Sequence, residues 1–202
     1  MTPATVNETL IIFTRYPEPG KTKTRMIPAL GEEGAANLQR QMTENTLAKA
    51  KKLQVFYPVF VEIHFAGGNQ PLMQAWLGAD LIYRQQSQGD LGKRMASAFE
   101  KSFAAGMTSV VIIGTDCPDL DTQIIAEAFK LLKTQDLVLG PAQDGGYYLI
   151  GLRRLIPELF MGIHWGTSQV RQQTIEIADR LGLAIASLPI LHDIDRPEDL
   201  GK

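Results

Sequence analysis

The sequence predicts a three-layer α/β/α protein built on a mostly parallel β-sheet. Strand-like and helix-like segments alternate along the chain, and residues 10–13 and 110–113 are uninterrupted apolar runs. Strands that are apolar on both faces are typical of a parallel sheet covered by helices on both sides. With 202 residues, of which 45% are hydrophobic, the chain can bury a sizeable core, so we expect one domain over residues 1–202.

Six segments have the composition of strands. They are rich in β-branched and aromatic residues and are separated by glycine, proline and polar residues. The clearest is Val-Val-Ile-Ile at residues 110–113. The predicted strands, in chain order, cover residues 9–14, 59–66, 81–84, 110–113, 136–139 and 147–152.

Five helices are predicted between or after these strands. The first has apolar residues at helical spacing, and the third is bounded by glycines. Asp121 or Thr122 can cap the fourth helix, and Thr167 or Ser168 can cap the fifth. The predicted helices cover residues 32–52, 71–77, 91–105, from 121 or 122 to 133, and from 167 or 168 to about 182.

Charge and composition exclude several classes of protein. The formal net charge is −2, which argues against a general nucleic-acid or membrane-surface binder. No apolar run approaches the roughly 20 residues that span a bilayer, and residues 1–8 lack the pattern of a signal peptide. The single cysteine, Cys117, excludes an intrachain disulfide and fits a reducing compartment. We therefore expect a cytoplasmic protein without nucleic-acid or membrane partners.

A cationic loop follows the first predicted strand. Residues 15–25 read Arg-Tyr-Pro-Glu-Pro-Gly-Lys-Thr-Lys-Thr-Arg and hold four cations in eleven residues. Lys and Arg neutralise phosphate, and Gly20 lets the backbone approach it. The loop is not a Walker loop, because Arg15 replaces the first glycine and two prolines remove backbone N–H groups. It predicts a phosphate site built from side-chain charge, with a solvated basic loop as the alternative.

An aspartate stands where the strand at residues 110–113 ends. In parallel sheets ligands bind at the carboxyl ends of the strands, and Asp116 follows this strand directly. Mg²⁺ is usually held by one or two carboxylates together with substrate phosphates. Asp116 is therefore the first candidate metal ligand, and a helix cap is the alternative.

A second acidic pair lies near residue 194. Asp193 and Asp195 alternate around Ile194, so extended backbone would direct both carboxylates to one face and could complete a metal site. The alternative is that Asp195 caps a helix beginning at Pro197. We assign the cap to Asp195 and the metal more readily to Asp193.

Two glycine-containing segments complete the candidate residues. Asp144 and Gly145 lie between two predicted strands and indicate a hairpin turn, but Asp144 could also face a pocket and bind or deprotonate an acceptor. Gly89 and Gly92 begin a helix whose free N–H groups could approach a nucleobase or a phosphate, with Arg94 beside them. A simple helix start needs no ligand.

Five motifs in order resemble a known family. They are F-T-R-x-P-x-x-G-x-x-K-T-R, Q-G-D-L-G-x-R-M, G-T-D-C-P-D-L, Q-D-G-G-Y-Y-L-I-G and D-I-D-R-P-E-D-L, and they cover nearly the whole chain. The chain resembles glycosyltransferase-A-like proteins that are linked to arsenosugar biosynthesis. It is similar, more distantly, to guanylyltransferases of molybdenum-cofactor and phospholactate metabolism.

The resemblance implies a nucleotide-diphospho-sugar transferase fold, which is Rossmann-like, with Mg²⁺ or Mn²⁺ bridging the phosphates of a nucleotide. It also implies roles for the motif residues. The phosphates would be held by Arg15, Gly20, Lys21, Lys23 and Arg25, and the base approached by Gly89, Gly92 and Arg94. The metal would be held by Asp116 with Asp193 or Asp195, and Asp116, Lys23 and Asp144 would act in catalysis.

The implied activity is transfer from a nucleotide-activated donor to a small-molecule acceptor, with a nucleotide sugar as the first choice of donor. One departure weakens that choice. Many glycosyltransferases of this fold carry Asp-x-Asp in the metal loop, whereas residues 115–118 read Thr-Asp-Cys-Pro. A nucleotidyltransferase that joins a nucleoside triphosphate to a phosphorylated substrate, and a non-catalytic nucleotide-binding module, are therefore the alternatives.

Overall fold

Strands and helices alternate along residues 6–200, which are the residues that this computed structural model describes. The strands are β1 (Glu8–Arg15), β2 (Phe60–Ala66), β3 (Ile82–Gln85), β4 (Ser109–Ile113), β5 (Leu137–Pro141), β6 (Tyr147–Leu152) and β7 (Ile185–Ser187). The α-helices are α1 (Ile27–Gln54), α2 (Gln70–Leu77), α3 (Leu91–Ala104), α4 (Thr122–Leu131) and α5 (Val170–Arg180). Short 3₁₀ helices cover Thr24–Met26, Pro157–Phe160 and Pro197–Asp199.

The strands form one sheet in the order β3-β2-β1-β4-β6-β5-β7. All neighbouring pairs are parallel except those of β6, which runs antiparallel to β4 and to β5. The mostly parallel sheet that the sequence predicts is thus confirmed. β1 lies between β2 and β4, so the chain that leaves β1 and the chain that leaves β4 emerge side by side at one edge of the sheet.

Helices cover both faces of the sheet. Leu10 and Ile12 of β1 point into a core formed with α1, α2 and α4, whereas Ile11 points into a second core formed with α3 and α5. This alternation is the period of two that a strand imposes. Because both faces are buried, β1 and β4 read as continuous apolar runs, and the three-layer prediction is confirmed.

The first helix begins earlier than predicted. It starts at Ile27 with Pro28 in its first turn. The backbone N–H groups of a first turn have no partner within the helix, so a proline there removes no helical hydrogen bond. Gly31 then has φ 69° and ψ 172°, which breaks the helix. The regular part therefore begins where the sequence predicted, near residue 32.

Three details of the chain differ from the predictions or complete them. Strand β7 was not predicted, because it is only three residues long. The prediction that Thr167 or Ser168 caps the fifth helix is wrong: the N-cap residue is Gln169, and its N–H donates to the Thr167 hydroxyl at 3.3 Å. Asp121 caps α4 as one of the two predicted candidates, accepting from two backbone N–H groups.

Within residues 6–200, none of the helices has both the length and the apolar character needed to cross a membrane.

Candidate active site

A cleft of about 560 Å³ opens over the carboxyl ends of β1 and β4. We call it the main cleft. The loop after β1 forms one wall and the loop after β4 forms another. Among the residues that border it are Arg15, Lys21, Thr22, Lys23, Arg25, Gln86, Arg94, Asp116 and Asp195. The structure therefore brings the four cations of the first motif and the aspartate of the third into one concave space.

Lys23 is the link between these walls. Its side chain is only 4% exposed, and its Nζ lies 3.0 Å from Asp116 Oδ1 and donates to the Ile194 carbonyl at 2.7 Å. The Ile194 N–H donates in turn to the Asp116 carbonyl at 2.8 Å. Lys23 has φ 41°, a left-handed conformation that a lysine adopts only at some cost, and these contacts hold it there. Because the Lys23 ammonium is paired with Asp116, a ligand in the main cleft would contact the other cations of this loop.

The other cations have partners at the rim of the cleft. Arg25 forms an ion pair with Asp195. Lys21 Nζ lies 2.7 Å from Glu18 Oε1 in an exposed pair that a ligand phosphate could replace at little cost, and the Arg15 guanidinium donates to the Lys21 carbonyl at 3.1 Å.

Asp195 does not cap the helix that the sequence predicted for it. The prediction that Asp195 caps a helix beginning at Pro197 is wrong, because the N-cap residue of that 3₁₀ turn is Arg196 and its N–H donates to Asp199. The carboxylate of Asp195 faces Arg25 instead.

A buried polar cluster forms the floor of the main cleft, and sequence reasoning did not identify it. The side-chain N–H₂ of Gln39, a residue only 5% exposed, lies within 3.3 Å of the hydroxyls of Thr14, Thr43 and Thr115. These residues come from β1, α1 and the loop after β4. A polar residue on the buried face of α1 was the available signal, because such a side chain needs partners in the core.

Residues 89–94, which the sequence assigned to the nucleobase, contribute both to the main cleft and to packing against Trp165. Arg94 borders the main cleft, with its guanidinium donating to the Gly89 carbonyl at 2.9 Å. Gly92 instead packs against Trp165: a Cβ atom there would lie 2.5 Å from the indole ring. Gly89 has φ 111°, which favours glycine. Thus Gly92 serves close packing, and Trp165 forms a wall above the start of α3.

A second cavity of about 350 Å³ adjoins the main cleft, and we call it the side cavity. Both spaces are bordered by Arg25, Asp116 and Asp195, so this junction connects them. The other walls of the side cavity combine aromatic and acidic residues. They include Tyr147, Tyr148, Trp165, Asp144 and Asp193.

Asp144 lies in the predicted hairpin turn between β5 and β6. Its Oδ1 accepts from the Gly146 N–H at 2.7 Å, and Gly145 has φ 92°. The turn is therefore confirmed, and the carboxylate still borders the side cavity. A role of Asp144 towards an acceptor stays a prediction.

The carboxylates around this junction repel one another. Burial raises the pKa of Asp193 above its ordinary value, and three nearby carboxylates add to the rise. They belong to Asp144, Asp116 and Asp195. Burial and the nearby carboxylates of Asp193, Asp116 and Asp144 raise the pKa of the Cys117 thiol far above its usual range, which makes it an inert thiol.

The acidic side chains at this junction suit a hard divalent cation that takes its remaining ligands from a substrate. Within residues 6–200, no three side chains of the types that bind metals come close enough to hold an ion by themselves. Asp116 and Asp193 both border the side cavity, however, and Mg²⁺ needs only one or two carboxylates when phosphates supply further oxygens. Repulsion among the carboxylates is the strain that such a cation would relieve.

Asp193→Asn should stabilise the ligand-free protein near neutral pH. Because the native state raises the pKa of this acid, it binds the proton more tightly than the unfolded chain, and stability is lost as the carboxylate ionises with rising pH. Thermal unfolding should show a higher unfolding temperature for the variant than for the wild type at about pH 7. The difference should vanish at about pH 3, where both side chains are neutral. An equal difference at both pH values would argue against this electrostatic cause.

The architecture defines the class to which the protein belongs by fold, that of the nucleotide-diphospho-sugar transferases. Residues 46–167 match the family DUF2064, described as an uncharacterized protein conserved in bacteria, and the chain belongs to this family. It is 36% identical to a protein of Desulfovibrio desulfuricans G20 described as a candidate nucleotide-diphospho-sugar transferase, over 96% of this chain and 85% of that one, with a TM-score of 0.90.

More distant solved structures share the fold alone. Glucosyl-3-phosphoglycerate synthase of Mycobacterium tuberculosis, solved with Mn²⁺, UDP and glucosyl-3-phosphoglycerate, is 14% identical over 97% of this chain and 75% of its own, with a TM-score of 0.60. The 4-diphosphocytidyl-2C-methyl-D-erythritol synthase of Anaerococcus prevotii DSM 20548 is 11% identical over 96% and 94%, also with a TM-score of 0.60. No curated protein matches the chain. The resemblances to arsenosugar enzymes and guanylyltransferases stay predictions.

Proposed function

We propose that this protein transfers a glycosyl group from a nucleotide sugar to a small hydroxylated acceptor, with Mg²⁺ or Mn²⁺ as cofactor. The observation that carries the proposal is the 3.0 Å contact between Lys23 and Asp116 in a cleft that Lys21 and Arg25 also border. A cationic loop and an acidic loop that face one space suit a diphosphate and its counter-cation. The similarity to the Desulfovibrio protein supports the same class of donor.

The main cleft would hold the donor. Lys21, Arg15 and Arg25 would contact the diphosphate, and Arg94 and Gln86, which also border the main cleft, would lie beside the base. Gln86 is held by hydrogen bonds from its side-chain N–H₂ to the carbonyls of Thr14 and His64, which leaves its amide oxygen for a ligand.

The cation would be held by Asp116 and Asp193 together with the diphosphate. When bound, it would stabilise the negative charge that grows on the departing nucleoside diphosphate. Lys23 positions Asp116 through its ion pair and places a positive charge beside that carboxylate.

The transfer breaks the bond between the anomeric carbon of the sugar and the oxygen of the diphosphate. An acceptor hydroxyl oxygen forms the new bond to that carbon and loses its proton. Asp144 is the proposed base, because its carboxylate borders the side cavity in which an acceptor would lie. The electron pair of the broken bond leaves with the diphosphate, which the cations of the loop stabilise.

The walls of the side cavity favour a neutral acceptor. Aromatic rings from Trp165 and Tyr147 can stack on an apolar ring face, while Asp144 and Asp193 can accept hydrogen bonds from hydroxyl groups. Arg25 is the cation at this wall, and Asp195 already neutralises it. A phosphorylated acceptor would therefore be repelled by the Asp144 carboxylate, which neither Arg25 nor the proposed cation neutralises.

A nucleotidyltransferase is the second candidate. The observation that favours it is the single aspartate of the metal loop, where residues 115–118 carry one acidic side chain. In that reaction a substrate phosphate would attack the α-phosphorus of a nucleoside triphosphate and expel pyrophosphate. An ionised nucleophile needs no base, so Asp144 would be dispensable.

Product analysis separates the candidates. We expect the protein with Mn²⁺ to release a nucleoside diphosphate from one member of a panel of nucleotide sugars, faster when hydroxylated acceptors are added. Pyrophosphate release from a nucleoside triphosphate would favour the second candidate instead. Nucleotide binding by calorimetry without either product would identify a non-catalytic module and contradict both enzymatic proposals.

A further inference from the structure

The side chain of Gln86 offers the main cleft a hydrogen-bond acceptor and no donor. Its N–H₂ group donates one hydrogen to the Thr14 carbonyl at 3.3 Å and the other to the His64 carbonyl at 3.0 Å. An amide nitrogen carries only two hydrogens, so both are used. The opposite orientation of the amide would place its oxygen against two carbonyl oxygens, so these contacts also fix the direction in which the amide faces.

The amide oxygen of Gln86 is unpaired, but the fold does not seal it from solvent. Within residues 6–200 it has no hydrogen-bond partner, and it is not one of the fully buried unpaired atoms, to which the hydroxyl of the next residue, Ser87, belongs. Gln86 also borders the main cleft. This oxygen is therefore open to a ligand in the cleft, and only a hydrogen-bond donor would satisfy it.

The position of Gln86 on the sheet separates it from the acidic side of the cleft. The two carbonyls that hold its amide belong to β1 and β2, whereas Asp116 follows β4 on the other side of β1. Neighbouring strands lie about 4.8 Å apart, so the amide is roughly 7 Å from β4 across the sheet. A nucleotide whose diphosphate faces Asp116 would extend its base towards Gln86.

Arg94 supplies the opposite polarity beside this acceptor. Its Nε donates to the Gly89 carbonyl at 2.9 Å, which ties the guanidinium to the loop that begins with Gln86. Its terminal N–H₂ groups have no partner among the described residues, and Arg94 borders the main cleft, so they can donate to a ligand oxygen. Leu91, 46% exposed at the same cleft, offers an apolar surface to a flat ring. These groups suit a base edge on which an N–H stands next to a carbonyl.

We propose that Gln86 selects the base of the donor nucleotide by accepting a hydrogen bond from a ring N–H that adjoins a carbonyl group. Uracil and thymine present such an edge at N3–H, and guanine presents one at N1–H. Cytosine and adenine have an unprotonated ring nitrogen at the same position, which would face the Gln86 oxygen as a second acceptor. The inference rests on the proposed function, and it narrows the donor to a uridine, thymidine or guanosine nucleotide sugar.

Base preference and base methylation test the assignment in the wild-type protein. Calorimetry with Mg²⁺ should show UDP, dTDP or GDP binding at least about tenfold more tightly than CDP and ADP. Methylating the ring N–H of the preferred nucleotide, as in 3-methyl-UDP, 3-methyl-dTDP or 1-methyl-GDP, should also weaken binding by about tenfold or more, because the methyl group replaces the donor hydrogen. Inorganic pyrophosphate, which carries no base, serves as the reference ligand.

Gln86→Leu separates base recognition from a role in the fold. Leucine is close to glutamine in size and lacks the acceptor, so the variant should bind the preferred nucleotide about tenfold less tightly and should lose most of the penalty for methylation. Its affinity for pyrophosphate should equal that of the wild type. A side chain that only held the Thr14 and His64 carbonyls would leave the methylation penalty unchanged.

Gln85→Leu is the matched control. Gln85 precedes Gln86 in the chain, but it is exposed and does not border the main cleft. This variant should keep both the base preference and the methylation penalty of the wild type.

Two results would overturn the proposal. One is tightest binding of CDP or ADP, and the other is equal affinity of the wild type for the methylated and the unmethylated nucleotide. Either result would leave the proposed transfer intact, because the base takes no part in the glycosyl step. If the wild type binds neither pyrophosphate nor any of these nucleotides, the proposed function fails together with the inference.

Discussion

Asp116→Asn should lower turnover by roughly 10² to 10³-fold and remove the metal dependence of nucleotide binding. Asp116 borders both the main cleft and the side cavity, and its carboxylate is the one that Lys23 approaches. Asparagine keeps the size and can still accept from Lys23, but it supplies no negative charge to a cation.

The variant should remain folded. The Asp116 side chain is 46% exposed, and the backbone hydrogen bond from Ile194 to the Asp116 carbonyl does not depend on the side chain. We expect a loss of about 1–3 kcal/mol in the free energy of unfolding, because the buried Lys23 ammonium keeps the Ile194 carbonyl and the amide oxygen as partners but loses its countercharge. Initial rates with the donor found by product analysis, and titration of nucleotide with and without Mn²⁺, measure the functional effect.

Asp119→Asn is the control for this experiment. Asp119 is an exposed acid three residues further on, outside the main cleft and the side cavity, and its loss should leave rate and metal dependence unchanged. Equal titration heats for wild type and Asp116→Asn would show that Asp116 is not a metal ligand.

Gly145→Ala should destabilise the protein by about 2–6 kcal/mol, a large part of the stability of a typical domain. Gly145 has φ 92°, and a Cβ atom there would lie 2.2 Å from the Ser168 carbonyl oxygen. The clash is with backbone, so no side chain can turn aside to relieve it. The Gly145 carbonyl also accepts from the Arg171 N–H at 3.0 Å, so the β5–β6 turn and the start of α5 are fixed together.

Urea unfolding measures this effect, and Gly162→Ala separates its two causes. Gly162 has a similar conformation, with φ 72°, but a Cβ atom there would meet no atom within 4 Å. This control should cost only about 1 kcal/mol, from backbone strain alone. If both variants lose the same stability, the close approach of Ser168 is not what requires glycine at residue 145.

The sequence predicted the fold from signals that are local in the chain. Apolar runs such as residues 110–113, the glycines at helix ends and the Asp144-Gly145 turn each report their own conformation, and each was located to within a few residues. Strand β7 was not predicted because three residues are too few to show a strand pattern. Gln169 was not predicted as the N-cap residue because its side chain forms no capping hydrogen bond.

The candidate site was predictable only in part, for a related physical reason. The position of Asp116 after a buried strand and the density of cations after β1 predicted that these groups would approach one another, and the structure brings them together. The partners of individual side chains depend on contacts between distant segments. Thus Lys23 meeting Ile194, and Gln39 reaching three hydroxyls, could not be inferred from spacing.

The bond between Lys23 and the carbonyl of Ile194 joins residues 171 positions apart. Bringing together two residues so far apart in the chain costs conformational entropy, so contacts of this kind form late in folding. During synthesis, the ribosome releases the amino-terminal half long before residue 194 emerges from its exit tunnel. The wall that Lys23 anchors therefore cannot assemble on a nascent chain until residue 194 has left the ribosome.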